Sequence, residues 1–262
     1  MRQPVNPATG KRHVRTYIIR RTFDELYRTT IQTWLGIFRE EIFGPLKRSK
    51  PFVHEIRIGE LEWEVVFLAL DSEADREKLK SAEISNAWVN EFSEIERGVI
   101  DDLEPCIGRF PSKADGGCGR PFIIADTNPG EEAHWFSIMS EQTPVPETAT
   151  TDQRRQWTKP DDWEIFIQPP GMFEQIDPAN DDFTYSTNPK AENLRWLPEG
   201  YYENMAKGKS RNWVRRMCCN RPASNEAGDP VWPEFQEHVH VSKEPLQAIE
   251  GHPLLIGVDF GR

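Results

Sequence analysis

Two apolar runs that break into polar residues are the places in this sequence best suited to chemistry. The first reads Ala87-Trp88-Val89-Asn90-Glu91-Phe92-Ser93-Glu94, and the second Phe122-Ile123-Ile124-Ala125-Asp126-Thr127-Asn128-Pro129. A buried parallel strand with an acid at its C-terminal tip is how nucleotide-hydrolysing α/β folds set a carboxylate beside Mg²⁺ and an attacking water. Glu91 is the candidate for taking or orienting that water's proton, and Asn90 for holding the Mg²⁺ hydration shell. Thr127 and Asn128, on a neighbouring tip, are candidates for sensing a γ-phosphate. Each motif also has an ordinary reading. Glu91 can serve only to cap a following helix, and Asn128-Pro129 is a routine turn starter. The two tips together are more specific than either alone.

A phosphate cradle is the part of this chemistry that the 262 residues do not supply. Gly208-Lys209-Ser210 has the ending of a phosphate loop, but Glu203 stands where the pattern needs its first Gly. Gly10-Lys11-Arg12 fails in the same way, with Val5 at that position. Arg20 and Arg21 close an early apolar run, and one of them can face phosphate; a surface role is the simpler alternative. Lys207, Lys209, Arg211, Arg215 and Arg216 gather around Trp213, a pattern that suits a DNA backbone or an acidic partner face. A solvated helix explains it equally well. His238 and His240 alternate on a short run with no third ligand nearby, which argues against a metal site.

The elements that must position these residues follow from periodicity. Val14–Ile19 reads as a strand, and Phe23, Leu26, Tyr27, Ile31, Trp34, Leu35 and Phe38 keep helical spacing after a capping box, Thr22 with Glu25. Val53–Ile58 and Trp63–Leu70, joined through Gly59-Glu60, form a hairpin. Ser72–Lys80 and Glu96–Ile107 are helical, flanking the Trp88 strand, and a Gly-bearing loop over Pro111–Gly119 feeds the Ile123 strand. Strands alternating with helices indicate an α/β core with a largely parallel sheet. Thr143–Asp162 reads as a mobile loop, Trp163–Ile167 as a further strand, and the stretch beyond as irregular. Two short helices follow, near Pro198–Ala206 and Ser210–Cys218. The apolar run Pro253–Val258 ends in Asp259 as a last strand.

Composition narrows the classes. A net charge of -11 argues against a protein that coats DNA indiscriminately, although local basic patches are compatible with contact. Cys106, Cys118, Cys218 and Cys219 form no Cys-x-x-Cys pair and read as reduced thiols of a cytosolic protein. No charged-then-apolar leader opens the sequence, and no run approaches about 18 apolar residues. The expectation is a soluble protein that neither spans nor rests on a membrane.

Taken in order, several segments resemble the large subunit of tailed-phage terminases. They are Tyr17–Thr22, Thr29–Trp34, Phe67–Asp71, Lys78–Ser81, Ala87–Glu91, Ile107–Pro111, Ile124–Pro129 and the closing Leu255–Arg262. The resemblance implies a P-loop (ASCE-type) ATPase core with a mostly parallel sheet over 1–195, a small linker or lid subdomain over 196–252, and the first strand of an RNase H-like nuclease over 253–262. It makes Trp88–Glu91 the Walker B strand with Glu91 catalytic, Thr127 and Asn128 the coupling motif, and Asp259 the first nuclease metal ligand. Asn90 replaces the more usual Asp. The same resemblance implies ATP with Mg²⁺, a divalent metal for the nuclease, and double-stranded DNA, a portal protein and a small terminase subunit as partners. It also implies a homo-oligomeric ring in the host-cell cytoplasm. A Walker A strand and helix, expected before Val14, are not in the sequence, and neither are the remaining nuclease acids. The chain alone is therefore expected to be an inactive fragment with a sheet edge and apolar surface left open. Half of a split motor, and a DNA- or portal-binding remnant, are the alternatives.

Overall fold

The period-2 runs of the N-terminal half all become strands. The computed structural model describes residues 3–177 and 182–224. They belong to one compact unit, Met1–Ser224; the second unit, Asn225–Arg262, lies outside the described residues, and with it His238, His240, Asp259 and the run 253–262. In chain order the strands are β1 (Arg12–Arg20), β2 (Leu46–Lys47), β3 (Phe52–Ile58), β4 (Leu61–Ala69), β5 (Asn86–Asn90) and β6 (Phe122–Asp126). They form a six-stranded sheet in the order β2-β3-β4-β1-β5-β6. β4, β1, β5 and β6 run parallel, while β2 and β3 complete one side antiparallel. The expected hairpin is β3–β4, with Ile58 opposite Leu61 across Gly59-Glu60. Gly59 takes the left-handed φ of 58° that this tight link requires.

Both faces of the sheet are covered, as alternation along β1 dictates. Ile18 faces a cluster with Leu26, Ile31, Trp34, Phe52, Ile56, Val65 and Phe67. Ile19 faces the other way, with Leu79, Ala87, Val89, Val99, Ile100 and Leu103. The second face is closed by helices Glu73–Lys80 and Arg97–Leu103. Each large apolar side chain buried this way contributes about 1.5–3 kcal/mol. The first face is closed by the helical run after Thr22, whose hydroxyl accepts the Glu25 N–H and donates to the Glu25 carboxylate at 2.7 Å. That run is not uniform. It opens α-helical at Phe23–Glu25, widens to a π-helix over Leu26–Thr30, and returns to α over Ile31–Ile37. Periodicity cannot show such a turn, because it shifts the apolar positions by only one residue.

Four expectations are corrected. Trp163–Ile167 forms no strand: Trp163 packs on Phe92 with ring centroids 6.0 Å apart, and Phe166 is exposed. The stretch read as irregular contains an antiparallel hairpin, β7 (Met172–Asp177) with β8 (Asp182–Thr187). Its pattern is hidden because a charged residue, Glu174, occupies an inward position. The stretch read as a loop, 143–162, contains helix Thr151–Gln156 with a full capping box between Thr150 and Gln153. Finally β6 is not a buried strand: only Ile123 of its five residues is half-buried, and Phe122 and Ile124 are 44% and 57% exposed. It lies at the sheet margin with nothing paired outside it among the described residues. Among the described residues this margin is an outermost strand with exposed apolar side chains.

The hairpin makes a third cluster with helices Tyr201–Ala206 and Arg211–Met217, in which Met172, Val214, Cys218 and Cys219 are buried. Ser210 caps the second helix by accepting the Trp213 N–H. Cys106 is buried under the main sheet and Cys118 half-buried; all four thiols are free.

Candidate functional site

Because β4, β1, β5 and β6 are parallel, their C-terminal tips meet at one margin of the sheet. In open α/β sheets this is the margin where ligands bind. Here it gathers Arg20 at the end of β1 with Arg21 after it, Asp71 just past β4, Asn90 at the end of β5 with Glu91 after it, and Asp126 at the end of β6 with Thr127 after it. The register pairs Asn90 with Asp126 directly.

Asn90 is the hub. Its amide donates to Asp126 Oδ2 at 2.8 Å. Its Oδ1 accepts from Arg20 Nη1 at 3.0 Å and from Thr30 Oγ1 at 2.7 Å. Arg20 also donates to Thr29 Oγ1 at 2.9 Å, and its Nε lies 3.7 Å from Glu25 Oε2. The π-helical turn is what brings Thr29 and Thr30, neighbours in sequence, to the same tip. Wide turns of this kind recur at functional sites. Trp88 Nε1 fixes the other Asp126 oxygen.

Thr127 is tied to the loop after β5 rather than to Asn90. Its Oγ1 lies 2.7 Å from Ser93 Oγ and accepts the Ser93 N–H at 3.1 Å. Asn128 is exposed one residue on, followed by buried Pro129. Glu91 sits between these two networks in a left-handed turn, φ 56° and ψ 58°, which side chains other than glycine rarely adopt. Next to it, Phe92 is buried against Trp135 and Phe136, with ring centroids 5.2 and 5.1 Å away. That anchor holds the strained turn in place. The Glu91 carboxylate accepts no hydrogen bond and makes no ion pair among the described residues. Glu94, at the outer side of the same turn, is exposed as a residue, yet its carboxyl is pushed above the usual carboxylate range. Partial desolvation is the main cause and the negative charge of Glu25 the next, with Arg20 opposing.

The sequence singled out Asn90, Glu91, Thr127, Asn128, Arg20 and Arg21, and the fold brings them all to this margin. Arg20 and Asn90 touch; Arg21 is exposed beside them. Thr29, Thr30, Ser93 and Asp126 complete the networks. Only Asp126 carried a sequence signal, as the acid ending its strand. The threonines are invisible without the π turn, and Ser93 without the Thr127 contact.

The residues present do not fit an Mg²⁺ ion at Asn90, whose only side-chain oxygen is already taken by Arg20 and Thr30, one of them a cation. Among the described residues no three His, Cys, Asp or Glu side chains converge to hold a metal. Nor does the margin offer a Gly-rich loop whose N–H groups would cradle phosphates. What the arrangement supplies by itself is a rigid platform with one unengaged carboxylate.

The basic cluster lies elsewhere and has internal partners. Glu174, with no side-chain exposure, is met by Arg211 at 2.8 Å, Arg215 at 3.6 Å and Arg221 at 3.9 Å. Arg216 Nε donates to the Pro129 carbonyl at 3.1 Å, and Arg215 also lies 3.7 Å from Glu132. Lys209 stands over the Trp213 ring at 5.4 Å. Helix Arg211–Met217 is thereby joined to the loop that follows Thr127-Asn128.

No protein-family model and no curated protein matches the sequence. Two solved structures of the large terminase from a thermophilic bacteriophage are similar to it. The one in complex with ADP aligns at 10% identity and a TM-score of 0.46, over 82% of this chain and 42% of that one. The other crystal form aligns at 11% identity and a TM-score of 0.37, over 50% and 30%. The chain thus spans less than half the length of either. What it does is read from the residues of the margin.

Proposed function

We propose that this chain is the greater part of the ATPase of a tailed-phage terminase large subunit, the motor that packages viral DNA into the procapsid and cuts it. The observation that carries the reading is the neighbouring pair of parallel tips, Asn90-Glu91 on β5 and Asp126-Thr127-Asn128 on β6. In this reading Glu91 is the catalytic carboxylate, and Thr127 and Asn128 couple γ-phosphate status to movement through Ser93. Arg20 and Arg21 are, in the same reading, the candidates for a phosphate sensor. Asp259 belongs to a nuclease that continues past 253–262, and 196–252 is the linker. ATP, Mg²⁺ and a nuclease metal are needed by the full-length motor, as are double-stranded DNA, the portal, the small subunit and a ring of copies.

The 262 residues alone should not hydrolyse ATP, because the sequence contains no G-x-x-x-x-G-K-[ST] run to hold the β- and γ-phosphates. The test is to assay the purified chain alone and again joined to a segment bearing G-x-x-x-x-G-K-[ST]. No turnover is expected from the first, and Glu91-dependent turnover from the second. Hydrolysis by the chain alone that disappears in Glu91→Ala would contradict the fragment reading; hydrolysis by the joined chain that survives Glu91→Ala would contradict the role of Glu91.

A split motor is favoured as second reading by the open β6 edge, which a strand from a separate polypeptide can complete; co-purification with a short P-loop protein would reveal it. A DNA or portal contact through Lys209, Arg211, Arg215 and Arg216 would show as salt-sensitive binding lost on joint Arg215→Ala and Arg216→Ala substitution.

A further inference from the structure

We propose that Arg20, Asn90 and Asp126 form a charge clamp across three strand tips, in which position 90 is an amide because it stands between a cation and an anion, and Arg20 is the positioning residue that fixes that amide. The clamp stands on the contacts of these side chains; that it orients the residue preceding Glu91 for hydrolysis rests on the nucleotide reading. Register sets it up. β5 and β6 run parallel with Asn90 beside Asp126, so both side chains leave the sheet on the same face. Arg20 comes from the other side, because β5 lies between β1 and β6. An amide accepts at one end and donates at the other, a guanidinium only donates, and a carboxylate only accepts. Both neighbours therefore demand one orientation: Oδ1 towards Arg20 Nη1 at 3.0 Å, and Nδ2 towards Asp126 Oδ2 at 2.8 Å. The buried Thr30 hydroxyl, at 2.7 Å, takes the second lone pair of Oδ1. A flipped amide would set N–H against guanidinium and oxygen against carboxylate. An acid at 90 would satisfy Arg20 but meet Asp126 with like charge at hydrogen-bond distance.

Arg20 is captive in this arrangement. Its side chain is only 11% exposed, its Nη1 also donates to Thr29 Oγ1 at 2.9 Å, and its Nε faces Glu25 Oε2 at 3.7 Å. Its charge reaches Glu94 as well, where it opposes the upward push of burial and of Glu25. The planar fork is what lets one side chain address β5 and the π-helical turn together, a geometry that a lysine ammonium does not share. A guanidinium engaged in this way is withdrawn from the candidates for meeting a phosphate. It also puts a fixed cation in the place beside Asn90 Oδ1 that a metal would have to take.

Exchanging the amide and the acid tests the clamp. Asn90→Asp sets two carboxylates side by side and should lower the thermal midpoint of the full chain by roughly 5 °C at neutral pH. The loss should shrink towards about pH 4, where the two acids can share a proton. Adding Asp126→Asn restores the pairing with the roles reversed: the acid at 90 accepts from Arg20 and Thr30, and the amide at 126 donates to it while keeping an oxygen for Trp88. This double variant should return to within roughly 2 °C of the natural chain. Should Asn90→Asp not fold at neutral pH, recovery of the fold in the double variant, read by circular dichroism, is the same rescue. Arg20→Gln should cost the exchanged chain more than the natural one, since a full ion pair is then lost; equal costs would show that Arg20 does not address position 90, and overturn the proposal. Asn90→Asp as stable as the natural chain, or a double variant no better than the single one, overturns it too. So does millimolar MgCl₂ that stabilises the natural chain but not Asn90→Ala, which would make Asn90 the partner of a metal. None of these measurements involves hydrolysis, so the clamp and the nucleotide reading fail separately.

Discussion

At Glu91 the backbone and the side chain want different things. A left-handed φ of 56° suits glycine, yet a glutamate stands there, at the tip of β5 and without a partner for its carboxylate among the described residues. Holding a non-glycine residue in this region costs about 1–2 kcal/mol. The neighbouring Phe92 supplies the burial that keeps the turn closed. Glu91→Gly should therefore raise unfolding stability by about 1 kcal/mol, whereas Glu91→Ala, which keeps a Cβ, should not. Urea titration of the two variants decides it; equal effects would mean that the turn is unstrained. The identities of Glu91 and Asn90 were readable in the sequence because an acid and an amide after an apolar run are conspicuous. Their partners were not. Thr30 and Ser93 are ordinary residues until a π-helical turn and a β6 loop bring them within hydrogen-bond distance.

Among the elements, the strands of the main sheet and the helices against it were legible because their apolar spacing is strong and uninterrupted. The β7–β8 hairpin was not, because its buried position 174 carries a charge that only tertiary contacts reconcile. The Glu174 side chain is fully buried and serves three arginines whose side chains are 37%, 27% and 53% exposed. Removing the carboxylate strands those cations near one another, though each retains some water. Glu174→Ala should cost about 3 kcal/mol, the low end for breaking a buried ion pair. The loss should be local, opening the hairpin and helix Arg211–Met217 before the main sheet. Hydrogen exchange by segment is the measurement, and uniform loss of protection would show that the two regions unfold as one. Tyr185, whose hydroxyl lies 3.4 Å from Glu174, has its pKa pushed up to about 12 by burial and then by this carboxylate, so it stays neutral beside it.

For the molecule as a whole, acid stability divides between carboxylates of opposite tendency. Glu40 is held at about 2, below its ordinary 4.5, first by hydrogen bonding to Arg48 and then by the Leu46 N–H. Its contribution is present above the ordinary value and is lost as pH falls through about 2. Glu94 is raised, so it works in the other direction: stability falls as pH rises through the window just above 4.5. The Glu40–Arg48 pair is partly exposed, which limits it to under about 1 kcal/mol. Glu40→Gln should flatten the acid limb of the stability curve, and Glu94→Gln should remove a decline above it. Thermal unfolding from pH 2 upward tests both, and curves parallel to the natural chain would refute the assignment. At this scale the sequence made the fold class readable, and also the want of a G-x-x-x-x-G-K-[ST] run, since that spacing is either there or not. It could not show which strand would lie at the sheet margin, because strand order is a property of the assembled sheet.

The buried thiols make the chain a clock for its own opening. Cys106 lies under the main sheet, and Cys218 and Cys219 lie under the hairpin, all three with their acidity suppressed by burial, Cys219 to about 11. A thiol that is both covered and protonated reacts only when its shelter comes apart. Two separate regions of the protein thus carry built-in reporters, and the order in which an alkylating reagent reaches them is the order in which the molecule loosens.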